Sequence, residues 1–216
     1  MLITQIVHFG REPSSDGQTT RAAINDTILK AAKALEGAKQ PQQFVLGTRL
    51  HEENAIQIMS EWNAVHDFAD FKATAEFGSF MGSMRNSFGE PQSIFHVALD
   101  RSAFGRDGPA TANVVEFVLC YFPASRTTPE FQKQIEEDFF RFDDIFKKDA
   151  RGNGTLTLGW VLEEQEHENI KGEKAKCFFV ARGWETMRHF EESVKTDAYK
   201  EAIPLLFAWN TPFKMV

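Results

Sequence analysis

"EWNAVHDFADFKATAEF", residues 61–77, and "GWETMRHFEESVKTDAY", residues 183–199, follow one pattern. Each carries Trp, a Phe six positions on, then Thr, then an aromatic ring three further. Trp62 answers Trp184, Phe68 answers Phe190, Thr74 answers Thr196 and Phe77 answers Tyr199, at a constant offset. A chain of 216 residues that repeats such a frame is read as two copies of one structural unit.

The copies extend outward from this stretch. Apolar runs rich in β-branched and aromatic residues, "ITQIVHF" and "VVEFVLCYF", open the two halves as strands. Helices follow at 19–38 and 128–148. The second has Phe131, Ile135, Phe139, Phe142 and Phe146 on one face, with Thr128 and Pro129 as N-cap and first-turn residues. Phe140 falls off that face. Second strands, "QFVLGTRL" and "TLTLGWVL", align Gly47 with Gly159. The same spacing aligns His8 with Cys120 and Phe9 with Tyr121. The second half then gains about ten residues in a polar hairpin loop, "EEQEHENIKGEKAK". Third strands, "AIQIMSEW" and "KCFFVARGW", lead into the opening motif, read as a short helix. "QSIFHVAL" and "PFKMV" close the halves as fourth strands. Each half is therefore β-α-β-β-α-β.

The strands are apolar at nearly every position, so both faces of each sheet need cover. Helices supply one layer, and a second sheet supplies the other. The expected fold is α+β: two tandem ferredoxin-like βαββαβ units whose antiparallel sheets pack together as an intramolecular dimeric α/β barrel. Residues 1–100 form the first half and 114–216 the second. Residues 101–113, rich in Gly, Asp and Ala, are the linker.

Composition narrows the partners. The net charge is −7, which disfavours a phosphate backbone, so no nucleic acid is expected. No run approaches a membrane span, and the N-terminus lacks a signal-peptide pattern, so a cytoplasmic protein without membrane contact is expected. Cys120 and Cys177 read as buried free thiols. Phosphate-binding glycine loops, nucleophile elbows and zinc-binding motifs are missing from the sequence.

With "FVLGTRL", "IMSEWNAVHDFADF", "TLGWVLEEQEHE" and "CFFVARGWETMRHFEESVKTDAY" in place, the chain resembles tandem versions of the antibiotic biosynthesis monooxygenase-type domain, within the dimeric α/β-barrel superfamily. The resemblance implies a small-molecule enzyme acting on a hydrophobic aromatic substrate without metal or flavin: a cofactor-free monooxygenase, cyclase or decarboxylase. A noncatalytic binding or stress-response protein on the same scaffold is the alternative, and haem binding or degradation a minor third. Because an internal pair satisfies the usual dimer interface, a monomer with an internal pseudo-dimer is expected, or a homodimer through the Phe-rich helix.

The candidate catalytic residues are His8, His96 and Tyr121. Two histidines on strands of one sheet suit a cavity wall, where a neutral imidazole removes a proton. Each also suits a hydrogen-bonded core position. Tyr121 is read either as a donor to an oxyanion or as core with its hydroxyl at the edge. The candidate substrate-binding residues are Arg49 and Arg182, for a carboxylate or phenolate, with Trp160, Phe207 and Trp209 as pocket walls. No metal or cofactor is expected. Trp62 and Trp184 read as packing at the strand-to-helix corner.

Overall fold

A computed structural model describes residues 2–10, 26–27, 29–30, 33, 41–50 and 55–216. The helix expected over 19–38 lies outside the described residues apart from Asp26, Thr27, Leu29, Lys30 and Lys33, which are helical. The chain divides into two compact units, Met1–His96 and Val97–Val216.

In the first unit the strands are β1 (Ile3–Gly10), β2 (Gln43–Thr48), β3 (Ala55–Trp62) and β4 (Pro91–Leu99), in the order β2-β3-β1-β4. That order, with antiparallel β1/β3 and β2/β3 pairs, is the ferredoxin-like one. The signature stretch forms two helices rather than one, α1 (Val65–Lys72) and α2 (Ala75–Phe88). Thr74 sits between them as the N-cap of α2, its hydroxyl accepting the Phe77 N–H at 3.2 Å. Val7, Phe9, Ile56 and Ile58 pack on Met81, Met84 and Phe88 of α2, so this face of the sheet is the helix-covered one.

The second unit repeats the plan. Its strands are β5 (Val114–Pro123), β6 (Asn153–Val161), β7 (Ala175–Trp184) and β8 (Phe213–Met215), in the order β6-β7-β5-β8. Its helices are α3 (Pro129–Phe146), α4 (Met187–Ser193) and α5 (Asp197–Phe207). Thr196 caps α5 as Thr74 caps α2, accepting the Tyr199 N–H at 3.1 Å. Thr128 caps α3 through the Phe131 N–H, with Pro129 in the first turn. The recurring T-x-x-F/Y is thus a helix start: hydroxyl at the cap, aromatic at the third helical position.

The core of this unit is aromatic. Phe122, Phe139, Phe142, Phe146, Trp160, Phe178, Trp184 and Trp209 belong to one buried cluster beneath α3 and α5. The last residues of β4 also belong here, Val97–Leu99 pairing with Val161, Trp160 and Gly159 of β6. The segment 100–113 that follows is ordered and packed: Ala103, Phe104 and Ala110 are buried, and the Asp100 carboxylate accepts from the Thr157 hydroxyl and the Leu158 N–H.

Residues facing each other at the strand ends set the equivalence of the two units. Ile3 pairs with Trp62, and Val114 pairs with Trp184. Ile3 therefore answers Val114, Gln5 answers Glu116 and His8 answers Leu119. The sequence spacing that set His8 against Cys120 and Phe9 against Tyr121 is one residue out on this strand, although it holds for Gly47 and Gly159, which face Gln57 and Phe179 of the equivalent third strands.

Candidate functional site: a charged cavity in the second unit

The two histidines lie on opposite faces of the first sheet. His96 is on the helix-covered face, its ring 5.1 Å from that of Phe68. It ends a directed chain: the Trp62 indole N–H donates to Ser60 at 3.0 Å, Ser60 donates to Gln5 Oε1 at 3.4 Å, and Gln5 Nε2 donates to His96 Nε2 at 3.2 Å. Because an amide nitrogen only donates, His96 Nε2 accepts and the ring proton sits on Nδ1.

His8 is on the other face. Its Nε2–H donates to Gln57 Oε1 at 2.6 Å, and its Nδ1 accepts from the Ser93 hydroxyl at 2.8 Å. Both nitrogens are engaged, so an axial bond to a haem iron would break one of these hydrogen bonds. Three residues separate Gln5 from His8, and three separate Ser93 from His96. An odd separation on a strand reverses the face, and the two imidazoles do not line one cavity.

Tyr121 is buried on the helix-free face of β5, its ring 4.4 Å from that of His167 in the hairpin loop. Burial pushes its phenol well up from the ordinary value, which opposes ionisation of this hydroxyl. Trp160 and Trp209 are core. Their indole N–H groups reach Glu136 at 2.8 Å and Asp138 at 3.4 Å, and both pack edge-on or tilted against Phe122 and Phe178. Phe207 is 64 % exposed at the end of α5. Arg49 lies half-buried just past β2, its N–H bonded to the Ala55 carbonyl. "HEEN", residues 51–54, lies outside the described residues.

Arg182 opens onto a cavity. The cavity has a volume of about 460 Å³. One wall is a stripe of α3, Phe140, Asp143, Asp144 and Lys147, whose spacing of three, one and three places them on a single helical face. The opposite wall is Gly154, Thr155 and Leu156 of β6. There the β6/β7 register shifts between Asn153 and Leu156, an irregularity of the kind that re-aims side chains. Arg101 completes the lining.

The electrostatics centre on Arg182, which is 3 % exposed. Its guanidinium binds Asp143 at 2.5 Å and lies over the Phe146 ring, 5.2 Å from the centroid. Its cross-strand neighbour is Glu116, whose carboxylate accepts the Trp184 indole N–H at 3.0 Å. Burial pushes Glu116 up from the ordinary carboxylate value, opposed by the Trp184 hydrogen bond and by Arg182. Thr155 Oγ1 is buried with no hydrogen-bond partner among the described residues. A guanidinium, a carboxylate and an unsatisfied hydroxyl on a cavity with Phe and Leu walls can hold a small aromatic molecule carrying oxygen substituents.

Sequence reasoning missed the α3 stripe. Phe140 stood out as off the apolar face, but Asp143, Asp144 and Lys147 drew no reading of their own. The signal was present in the helical spacing, and only packing shows that the stripe meets a bulged strand.

Two ferredoxin-like units, each an antiparallel sheet with helices, place the chain in the dimeric α/β-barrel fold class. No protein-family model and no curated protein matches the sequence. Solved structures do share the fold. An anthrone oxidase-like protein superposes at a TM-score of 0.60 with 12 % identity, over 99 % of this chain and 89 % of its own. A candidate monooxygenase from Lactobacillus acidophilus NCFM gives 0.56 and 10 %, over 99 % and 91 %. A candidate chlorite dismutase gives 0.56 and 10 %, over 100 % and 89 %. Such identities define a fold and leave the reaction to the site. Among the described residues no helix is long and apolar enough to cross a membrane.

Proposed function

We propose that the second unit binds a hydrophobic, hydroxylated aromatic molecule in the Arg182 cavity and begins its reaction by removing a hydroxyl proton, without metal or flavin, in the cytoplasm. The observation that carries this reading is the convergence of Arg182, Asp143 and Thr155 on a space of about 460 Å³ walled by Phe140 and Leu156. That volume lies within the range of small-molecule sites, roughly 300–1,000 Å³. The structural neighbours described as a monooxygenase and as anthrone oxidase-like are compatible with a substrate of this kind.

The chemistry follows from the groups present. Guanidinium N–H donors stabilise a phenolate oxygen and so favour ionisation of the bound phenol. Asp143, already paired to Arg182, is the base within the same site for the departing proton. The Thr155 hydroxyl supplies a further contact to a substrate oxygen. The electron-rich anion so formed is the common starting point of cofactor-free oxygenation by dioxygen, cyclisation and decarboxylation.

The test is a tryptophan-fluorescence titration with 1,8-dihydroxyanthraquinone, then oxygen uptake in the presence of a chelator. Trp184 packs on Phe146, the ring beneath Arg182. Saturable quenching is expected. Loss of one hydrogen bond to a substrate oxygen in Thr155→Val should weaken affinity by about three- to tenfold. An unchanged affinity in both Thr155→Val and Phe140→Asp would move the ligand elsewhere. A second reading, a noncatalytic binding protein, is favoured by the tight packing of Trp160, Trp209, Phe122 and Phe178. It predicts saturable binding with no oxygen uptake and no turnover of the bound aromatic.

A further inference from the structure

Glu116 is a half-buried carboxylate of the second unit that the proposed proton removal leaves unused. It lies on the helix-covered face of β5, directly across from Arg182 on β7. The equivalent trio of the first unit is neutral: Gln5, Ser60 and Trp62 stand where the second unit has Glu116, Arg182 and Trp184. In both, the indole N–H donates into the pair, to Ser60 in the first and to Glu116 in the second. The second unit has thus set a carboxylate across from a guanidinium at a position that the same fold fills with an amide and a hydroxyl. That guanidinium is paired with Asp143 on the cavity wall and also acts on the Glu116 carboxylate through its charge.

Resting on the cavity reading above, we infer that Glu116 is the positioning residue that sets the charge Arg182 shows to a ligand, so that the site takes aromatic anions and takes them together with a proton. With Glu116 protonated, the lining cations Arg101, Lys147 and Arg182 outnumber the carboxylates Asp143 and Asp144 by one, and an incoming anion completes the balance. With Glu116 ionised, its charge offsets that surplus through Arg182, and a further negative group is no longer favoured. The groups around Glu116 are Trp184 and Arg182 of β7 and Tyr199 of α5, whose phenol is pushed up by burial and by Glu116. The cavity lining contains Arg and Lys cations and Asp carboxylates but no histidine. Burial raises Glu116 from its ordinary value of 4.5, so it titrates above the range of the exposed carboxylates. The sign follows: anion affinity is highest at low pH and falls as pH rises through the Glu116 transition.

Salicylate, whose carboxyl is ionised throughout, is the probe. On the whole chain, its dissociation constant is expected to rise by about tenfold as pH rises through the Glu116 transition. Calorimetry in two buffers of different ionisation enthalpy should show proton uptake on binding. In Glu116→Gln the low-pH affinity should persist across the range and the proton uptake should vanish. That variant is expected to fold, because Gln5 occupies the equivalent place in the first unit. A wild-type affinity independent of pH, or one whose pH dependence survives Glu116→Gln, overturns the role of Glu116 while leaving the cavity as a ligand site. Absence of salicylate binding at every pH overturns both. Proton uptake needs only the wild-type protein, so the inference stands or falls even if the variant misfolds.

Discussion

At Gly159 a side chain has no room: a β-carbon there would lie 1.9 Å from the Ala98 carbonyl oxygen of β4. At Gly47, its repeat counterpart, nothing among the described residues lies within 4 Å. One glycine is demanded by a close strand approach, while the other sits on a strand at the edge of the sheet. Gly159→Ala is expected to cost about 1–3 kcal/mol by forcing β4 and β6 apart, and Gly47→Ala to be near neutral. Chemical denaturation of both variants checks the contrast, and equal losses would refute it. Asp143→Ala is a harsher change, since it leaves Arg182 buried without its shortest-range partner. A loss of about 3–5 kcal/mol is expected, which makes Asp143 a poor first choice for a functional test.

At the scale of the element, four of the described helices start on Thr: α2 at Thr74, α3 at Thr128 and α5 at Thr196 cap a Phe or Tyr N–H, and α4 at Thr186 caps that of His189. Thr74 and Thr196 also donate their hydroxyls back to Phe71 O at 2.7 Å and Ser193 O at 2.8 Å, closing the turn that joins each helix to the one before. Replacing Thr196 with Ala should cost about 1 kcal/mol and Thr196→Ser very little. Thermal unfolding of the pair measures this, and similar losses in both would assign the effect to the methyl group instead of the cap. The spacing of α3 illustrates what periodicity shows on its own. Ile135, Phe139, Phe142 and Phe146 are buried as their spacing predicts. The neighbouring stripe that lines the cavity is legible as a stripe, but its use depends on what lies opposite.

Across the whole molecule, the two thiols report on the integrity of the second unit. Cys120 and Cys177 are buried on adjacent strands but on opposite faces of the sheet. Burial pushes the Cys120 thiol up to about 12 and raises Cys177 well above its ordinary value. Alkylation requires a thiolate and access. Iodoacetamide at mildly alkaline pH should therefore leave the native protein unmodified and label both thiols once denaturant unfolds it. The labelling midpoint should coincide with the fluorescence midpoint of the unfolding transition. Rapid labelling of the native protein would contradict the packing of β5 and β7.

The repeat, the strands, the Thr128–Pro129 cap and the apolar face of α3 were determined by the sequence itself, whereas the signature stretch, read as one helix, forms two, with Thr74 and Thr196 as the caps of the second. Each depends on residues a few positions apart, where spacing and side-chain chemistry are enough. The ferredoxin-like strand order follows from that succession of elements. The cavity does not. It joins Phe140 and Asp143 of a helix to Thr155 of a bulged strand and Arg182 of the next, four positions that meet only through packing. The faces of His8 and His96 and the repeat counterpart of His8, Leu119 rather than Cys120, were decided the same way. A strand repeats every two residues, so a shift of one in the alignment exchanges the buried face for the other. Hydrogen bonding between strands removes that freedom, and it exists only in the folded chain.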